Sequence, residues 1–421
     1  MQLKTILNKV QKFKSFVYDK VEFSEDGERT TLLIKIVPRT NSKPVCSGCG
    51  KRQPGYDRIG ERRFEFIPLW GIPVFFLYIM RRVNCPDCGI VVESVPWGNG
   101  KHQLTTTYAW FLAGWAKRLS WKETAEVFQT TWDKVFSAVS QAVAWGLAHR
   151  NLDNVKAIGV DEVLWHRGHK YLTVVYQIDE HCKRLLWVGK DRTTIRFMRF
   201  FHWFGEERTR RLQFVCSDMW KPYLKVLAHK AKKGVLTAAH LLDRFHITKN
   251  MNLAIDKVRA GEAKQLAAEG IDILKNSRWC VLKRPENLTD KQEAKLAQLE
   301  RRRNLKTFRA YLLKENFQHF WDYGSPGWAI KFLDRWCKRT MRSRIEPMKK
   351  MAQQLRNHRE LLRNWFKARG SISLGAVEGL NNRLKLTFRK SYGFRTFKCT
   401  EIALYHAMGD LPEPPMTHRF C

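Results

Sequence analysis

The sequence lacks any apolar run long enough to cross a membrane. Its longest run, Ile72–Met80, is interrupted by Pro73 and falls far short of the ~20 residues that a transmembrane helix needs. The N-terminal segment also lacks the continuous apolar stretch of a secretory signal. We therefore expect a cytoplasmic protein that does not span a membrane.

Acidic side chains are also in short supply. The chain of 421 residues has 40 Asp and Glu against 76 Lys and Arg, which gives a formal net charge of +36. Such an excess predicts a polyanionic partner, because self-repulsion alone would only destabilise the folded chain. Nucleic acid is the leading candidate and an anionic membrane surface the second. Aromatic residues make up 12% of the chain, which excludes disorder as its general state.

Four of the 10 cysteines occur as two closely spaced pairs. Cys46 and Cys49 form one C-x-x-C pair, Cys85 and Cys88 form the other, and a glycine follows each pair. Two such pairs are typical of one structural Zn²⁺ held by four thiolates, and the glycines permit tight turns. A pair of redox dithiols is the alternative. We predict an N-terminal zinc-binding domain over residues 1–100.

One pattern precedes this cysteine region and another follows it. Alternating apolar and polar residues within 3–45 predict short strands, whereas residues 105–149 lack proline and repeat apolar positions as helices do. Ser120 with Glu123 predicts a capping box at a helix start. A second helix near Thr131 completes a helix-turn-helix, although a scaffolding hairpin has the same pattern. We place this helix-turn-helix DNA-binding domain at residues 101–152.

The remainder of the chain predicts a ribonuclease-H-like core. Strands are expected at 157–163, 171–178, 184–189, 212–218 and 235–240, with helices before and after the fourth. In this order three antiparallel strands precede parallel ones. We assign residues 153–250 to the first part of the core and 251–365 to a helical insertion. Residues 366–421 hold the last helix, Leu374–Arg389, and the tail, so the fold class is α+β multidomain.

Three carboxylates stand out by their position in these elements. Asp161 lies within an apolar strand, Asp218 closes another strand, and Glu378 lies on the last helix. A carboxylate in an apolar strand is costly to bury unless a partner or a cation compensates it. Three converging carboxylates favour two Mg²⁺ or Mn²⁺ ions, which support in-line displacement at phosphorus. Glu162 should point to the opposite side of its strand.

Polar and basic side chains near these elements are candidate DNA contacts. The candidates are Lys122, Trp132 and Lys134 in the helix-turn-helix, and Asn382, Arg383, Lys385, Arg389 and Lys390 beside Glu378. The basic ones among them would hold the phosphate backbone. Trp132 would either stack on an unpaired base or pack within the protein.

Several motifs together resemble those of the DDE transposases of the ISL3 insertion-sequence family. They are Gly159-Val-Asp-Glu162, Tyr171-Leu-Thr-Val-Val175, Ser217-Asp-Met-Trp-Lys-Pro-Tyr223, Asp243-Arg-Phe-His246, Val377-Glu-Gly-Leu-Asn-Asn-Arg-Leu-Lys385 and Tyr392-Gly-Phe394. The resemblance implies that Asp161, Asp218 and Glu378 form a metal-binding catalytic triad. It also implies that the N-terminal modules recognise terminal inverted repeats. Asp243 matches a family motif too and is the rival of Asp218.

His246 is a second accessory candidate, either contacting the metal-bound phosphate or serving as a hydrogen-bonded structural histidine. We thus expect a transposase that cleaves element ends and joins their 3′-hydroxyls to target double-stranded DNA, acting as a homodimer or larger assembly and binding no membrane. It would lie in the cytoplasm of a prokaryotic cell, with the nucleoid when bound to DNA. The alternatives are a non-catalytic DNA-binding regulator and a ribonuclease-H-like nuclease without strand transfer.

Overall fold

The computed structural model describes residues 3–26, 29–166, 168–368, 372 and 375–415. They form two compact units. The first unit comprises the described residues of 1–150 and 387–421, and the second comprises those of 151–386. Each unit contains a five-stranded sheet with parallel and antiparallel pairs. The protein is therefore a mixed α+β structure.

The first unit is built on a sheet, and the cysteine pairs lie where its strands are connected. Its strands are β1 (Phe16–Asp26), β2 (Arg29–Pro38), β3 (Gly55–Leu69), β4 (Ile72–Cys85) and β5 (Gly89–Val92). They are hydrogen-bonded in the order β1-β2-β4-β3, and β5 pairs with β4. Buried side chains such as Ile34, Phe64 and Phe76 form its core.

The chain begins with a helix where we predicted strands. Residues Leu3–Val10 form helix α1, which buries Leu7. Leu3, Ile6, Leu7 and Val10 recur at intervals of three and four, which places them on one side of a helix. The prediction of strands from residues 3–45 is therefore wrong for this segment and holds for β1 and β2.

Three helices follow the sheet in the first unit. They are α2 (Thr106–Ala116), α3 (Trp121–Val127) and α4 (Trp132–His149). The predicted capping box is present, since Ser120 accepts from the Glu123 amide and Glu123 accepts from the Ser120 amide. Thr131 caps α4 as expected. The short α3–α4 connection turns at Gln129, whose φ is +48°.

The second unit contains the predicted succession of strands, with one additional helix. Its elements are β6 (Ala157–His166), β7 (Lys170–Asp179), β8 (Cys182–Lys190), α5 (Thr194–Phe204), α6 (Glu206–Arg211), β9 (Phe214–Ser217), α7 (Lys221–Lys232) and β10 (Ala239–Leu242). The sheet order is β10-β9-β6-β7-β8. Strands β6, β7 and β8 pair antiparallel, whereas β9 is parallel to both β6 and β10.

The fifth strand of this sheet lies later than the predicted 235–240. The amides of Val235 and Leu236 donate to the carbonyl of Lys230 at 3.1 and 3.2 Å and so close the end of α7. These amides are therefore not available for strand pairing, and the strand begins at Ala239.

A helical block follows β10. It contains α8 (Arg244–Ala268), α9 (Arg278–Leu282), α10 (Asp290–Glu300), α11 (Lys306–Gln318), α12 (Pro326–Met341), α13 (Glu346–Asn357) and α14 (Arg359–Lys367), with 3₁₀ turns at Pro285–Asn287 and His319–Asp322. Buried aromatic side chains, among them Phe320, Trp321 and Trp336, pack into its own core. Its helices thus serve packing first, although Trp328 is exposed.

Two helices complete the described chain. Helix α15 (Ala376–Lys390) matches the last predicted helix, whose first residue, Leu374, lies outside the described residues. Helix α16 (Phe397–Met408) packs against α4. Residues from Thr387 onward belong to the first unit, whereas the sequence grouped all of 366–421 with the core. In the described part of the chain, no helix combines the length and apolarity needed to cross a membrane.

Candidate active site

The strand register of the second unit places three aspartates side by side. The last paired residues of β6 and β9 are Val160 and Ser217, and Ser217 also pairs with Leu242 of β10. One residue further along each strand stand Asp161, Asp218 and Asp243. Because these strands are parallel, their carboxyl ends meet at one edge of the sheet.

Asp161 is almost completely buried, with 5% of its surface exposed. Its Oδ1 accepts a hydrogen bond from the Glu162 amide at 2.7 Å, and its Oδ2 accepts one from Asn381 Nδ2. Burial raises the pKa of this carboxyl, because the charged form loses its hydration. A cation bound to this carboxylate would stabilise its charged form in place of the lost hydration.

Asp218 lies beside Asp161, and among the described residues one hydrogen bond holds its carboxylate. Its Oδ1 accepts from the Trp220 amide at 2.9 Å, which fixes the carboxylate just after β9. Burial, with a further contribution from the neighbouring Asp161, raises the pKa of Asp218 to about 6. The amide of Trp220 and the charge of His246 oppose this rise without cancelling it.

Asp243, the rival of Asp218, has both oxygens engaged. It caps α8 by accepting from the Phe245 amide at 2.8 Å, and its Oδ2 lies 3.1 Å from His246 Nδ1. Burial opposes the charged form of His246, but the bond to Asp243 and the charge of Asp161 outweigh it and raise the pKa of His246. Protonated His246 thus partly offsets the negative charge of Asp161 and Asp218.

Helix α15 carries Glu378 to the same strand. A Cβ added at Gly159 would lie 2.4 Å from Val377 Cγ2, so the helix contacts the backbone of β6 directly. Asn381, which reaches Asp161, stands one turn after Glu378 on the same helix side. Glu378 itself is half-buried on this helix.

The donor set suits divalent cations. The oxygens of Asp161, Asp218 and Glu378 do not all lie within 4.8 Å of one another, since among the described residues only the cysteines form such a group. Hard carboxylate oxygens fit Mg²⁺ or Mn²⁺.

The four predicted zinc ligands come together in the first unit. The sulfur atoms of Cys46, Cys49, Cys85 and Cys88 lie within 4.8 Å of one another. The Cys49 and Cys85 sulfurs are 3.6 Å apart, close to the ~3.8 Å of a tetrahedral site with ~2.3 Å zinc–sulfur bonds. Bonds from the backbone amides of Cys49 and Gly48 lower the pKa of Cys46 to about 7.

The glycines of the cysteine loops have the conformations expected of them. Gly50 and Gly89, which follow the two pairs, both have φ of +72°. A Cβ at Gly48 would lie 2.7 Å from Cys88 Sγ, so only glycine lets the two loops approach this closely. The arrangement fits a structural Zn²⁺.

Comparisons with known proteins identify the family. A family model described as transposase, of the ISL3 DDE type, matches residues 158–404, more than half of the chain. The chain belongs to the ISL3 transposase family. The matched part contains Asp161, Asp218, Asp243 and Glu378.

Curated relatives of this family member extend the similarity beyond the matched core. The transposase for insertion sequence element IS1557 of Mycobacterium tuberculosis is 29% identical, and the alignment covers 96% of this chain and 95% of that protein. The transposase for insertion sequence element IS1001 of Bordetella parapertussis is 26% identical, over 91% of this chain and 93% of that protein. The similarity to insertion-sequence transposases therefore extends over nearly the whole chain.

The predicted DNA contacts on α3 and α4 differ in their surroundings. Lys122 is exposed and only loosely paired with Glu126 at 3.6 Å. Lys134, in contrast, lies 2.6 Å from the buried carboxylate of Glu65 and ties α4 to the sheet. Trp132 is 41% exposed and stacks on Phe136, so it both packs and presents a surface.

The predicted contacts on α15 share the outer side of the helix. All five are exposed: Asn382, Arg383, Lys385, Arg389 and Lys390. Lys390 also donates to the Lys117 carbonyl at 3.2 Å. The other side, with Val377, Leu380 and Asn381, is buried.

Sequence reasoning did not identify two polar residues of the site. Asn381 and Tyr176 form a buried contact next to Asp161, and the sequence predicted no role for either. Asn381 could have been selected as an amide three residues after Glu378, on the buried side of a helix. Glu162 pairs with Arg192 at 2.9 Å, and its charge is one of the causes that raise the pKa of Asp218, so its place on the opposite side of the strand stays a prediction.

Proposed function

We propose that the protein is an insertion-sequence transposase that binds the terminal inverted repeats, cleaves the DNA ends and joins the 3′-hydroxyls to target DNA. The observation that carries this proposal is the register that sets Asp161 beside Asp218 at the carboxyl ends of β6 and β9. Helix α15, which carries Glu378, packs on the same strand. A ribonuclease-H-like active site requires acids from these elements.

In this proposal Asp161, Asp218 and Glu378 hold two Mg²⁺ or Mn²⁺ ions. Such ions activate the attacking oxygen and stabilise the leaving oxygen during in-line displacement at phosphorus. Asp218 is favoured over Asp243, because Asp243 already pairs with the imidazole of His246, whereas the Asp218 carboxylate accepts from the neutral amide of Trp220. The cap and the histidine position this edge of the sheet.

The exposed residues of α15 bind the DNA backbone in this account. Lys385 and Arg389 supply positive charge on the exposed side of the helix that carries Glu378. Ion pairing with phosphate is the usual source of affinity in such contacts. Arg383 and Asn382 extend the same surface.

The first unit would recognise the element ends. The cysteine cluster, with its structural Zn²⁺, stabilises the sheet, and α4 of the helix-turn-helix reads the major groove with Trp132 at its start. Two ends must be processed together, so the active species is a dimer or larger assembly on DNA. The protein acts in the prokaryotic cytoplasm, where its DNA lies.

The proposal is tested with purified zinc-loaded protein and labelled DNA that carries the two ends of its own element. We expect 3′-end cleavage and joining to a second duplex with Mg²⁺, and none in buffer freed of divalent ions. A chelator is avoided, because it would also strip the cysteine cluster. Glu378→Gln should bind the ends and leave them uncut.

Glu207→Gln is the matched control, since it removes an exposed acid of α6 in the same unit, which pairs with Arg211. It should retain cleavage. End binding without any strand breakage by the wild type would favour the non-catalytic regulator. Cleavage without joining of a pre-cut 3′-end would favour the nuclease.

A further inference from the structure

We propose that Tyr176 and Asn381 are positioning residues that orient the carboxylate of Asp161 for metal binding. The inference rests on the proposed function, because it assigns Asp161 to the metal site. Tyr176 would act through Asn381 and touch neither the metal nor DNA. The two residues lie 205 positions apart in the chain and meet only in the folded second unit.

The contacts form a short relay through the interior. Tyr176 of β7 donates its hydroxyl to Asn381 Oδ1 at 2.9 Å, and Asn381 Nδ2 donates to Asp161 Oδ2. The three residues are 0%, 8% and 5% exposed, respectively, so water does not replace these bonds. Both hydrogen bonds persist, because breaking either one would leave a buried polar group without a partner, which costs free energy.

The tyrosine supports the amide from the side opposite Asp161. An ionised carboxylate only accepts hydrogen bonds, so Asp161 takes the Nδ2 of Asn381 and leaves the amide oxygen facing Tyr176, whose hydroxyl donates to it. With this hydroxyl removed, the amide oxygen is buried without a donor. The amide then gains by rotating toward another donor, which loosens its bond to Asp161.

The relay leaves Asp161 held from both sides. Oδ1 accepts from the Glu162 amide and Oδ2 accepts from Asn381, which fixes the plane of the carboxylate. Each oxygen has a second lone pair that can bind a cation. Partners of this kind set the orientation of metal ligands and tune metal affinity.

The surroundings of Asn381 do not call for an amide on packing grounds. Its neighbours on the buried side of α15 are Val377, Leu380 and Leu384, all apolar. A leucine would continue this row without the cost of burying an amide. The amide is explained by its two partners.

Mn²⁺ binding measures the relay without DNA or catalysis. Full-length zinc-loaded protein is titrated with Mn²⁺, and free Mn²⁺ is followed by electron paramagnetic resonance. We expect Tyr176→Phe to raise the half-saturating Mn²⁺ concentration about 10-fold, and Asn381→Ala about 10- to 100-fold. The phenylalanine keeps the buried ring, so this variant remains informative if Asn381→Ala does not fold.

Tyr223→Phe is the matched control. Tyr223 is another fully buried tyrosine of the unit, and its hydroxyl contacts Thr173 at 3.3 Å. This change should leave the Mn²⁺ titration as in the wild type. A cleavage assay adds a second readout, in which high Mg²⁺ restores activity to Tyr176→Phe and leaves Glu378→Gln inactive.

Three outcomes separate the inference from the proposed function. Weaker Mn²⁺ binding in Tyr176→Phe, with a melting temperature like that of Tyr223→Phe, supports the relay. Wild-type affinity in both Tyr176→Phe and Asn381→Ala overturns the relay and leaves the proposed function standing. A wild-type protein that binds no Mn²⁺ at this site removes the proposed metal centre itself, and the relay with it.

Discussion

Gly159 shows how a single residue determines the distance between the helix of Glu378 and the strand of Asp161. Any larger side chain would meet Val377, which lies 2.4 Å from the position of its Cβ. We predict that Gly159→Ala moves α15 away from β6, lowers stability by about 1–3 kcal/mol and abolishes cleavage. Thermal unfolding and the end-cleavage assay measure the two effects.

Gly261 offers the matched control for this change. It lies within α8, and a Cβ there meets no atom within 4 Å. Gly261→Ala should raise stability by about 0.5–1 kcal/mol, because alanine loses less entropy in a helix. Equal effects of the two substitutions would contradict the proposed close contact.

Asp218 carries the clearest pH dependence. Burial raises its pKa to about 6 in the folded protein, whereas an unfolded aspartate titrates near ~3.9. Between these values the folded state binds more protons, so the metal-free protein loses stability as pH rises from about 4 to 6. The penalty is complete above about pH 6, where Asp218 is charged.

We therefore predict that Asp218→Asn stabilises the metal-free protein by roughly 2 kcal/mol at about pH 8 and by much less at about pH 4. Urea unfolding in buffer freed of Mg²⁺ measures this difference. A variant that is destabilised at the higher pH would show that Asp218 already has a compensating partner.

Single residues stand out in the sequence where their type conflicts with their surroundings. Asp161 stands in an apolar strand and Asp218 ends one, so both could be selected without a structure. Asn381 could not, because an amide among basic residues on a helix is ordinary until Tyr176 and Asp161 are seen on its buried side. Contacts between residues far apart in the chain depend on how the helix packs.

At the scale of elements, the two cysteine loops approach each other through Gly48. A Cβ at this position would lie 2.7 Å from Cys88 Sγ. We predict that Gly48→Ala weakens zinc binding and lowers the unfolding temperature of the first unit, because metal affinity contributes to folding there. Zinc content by mass spectrometry after dialysis measures the loss.

The zinc result needs a glycine control from the same sheet. A Cβ added at Gly60 of β3 would meet no atom within 4 Å, so Gly60→Ala should keep its zinc through dialysis as the wild type does. Full zinc retention by Gly48→Ala would contradict the cluster as a single tetrahedral site.

The contact between Lys134 and Glu65 links α4 to the sheet. Glu65 is 7% exposed, and removing its cation leaves a buried carboxylate without its ion pair. We predict that Lys134→Ala lowers the free energy of unfolding by about 1–3 kcal/mol. Lys122→Ala should change it by less than about 0.5 kcal/mol, because that ion pair is exposed.

Chemical unfolding compares the free energies of unfolding of the two lysine variants. A DNA-binding assay under conditions of equal stability compares their affinities for DNA. A loss of DNA affinity without loss of stability in Lys134→Ala would return this residue to the DNA surface. The sequence alone favoured that role, because it does not reveal that Glu65 is buried nearby.

Elements with a clear period were predicted well. Strands β6 to β9, the capping box of α3 and the start of α4 all followed from spacing and capping residues. Helix α1 and the position of β10 were not predicted. A short apolar pattern fits both the helical and the strand period, and the amides of Val235 and Leu236 are hydrogen-bonded to the end of α7. Local hydrogen bonding decided these cases.

At the scale of the whole molecule, the charge of +36 predicted a nucleic-acid partner, and family membership agrees with it. The return of residues after Thr387 to the first unit was not predicted. The packing of α16 on α4 depends on side chains from distant parts of the chain, so a local sequence pattern does not predict it.

The central claim is that Asp161, Asp218 and Glu378 together hold the metal ions that act on DNA. The most direct measurement is anomalous diffraction from crystals of the protein with its element ends and Mn²⁺. We expect two Mn²⁺ peaks bound by these three carboxylates. Peaks held by Asp161 and Asp243 with Asp218 unbound, or no peak near Asp161, would contradict it.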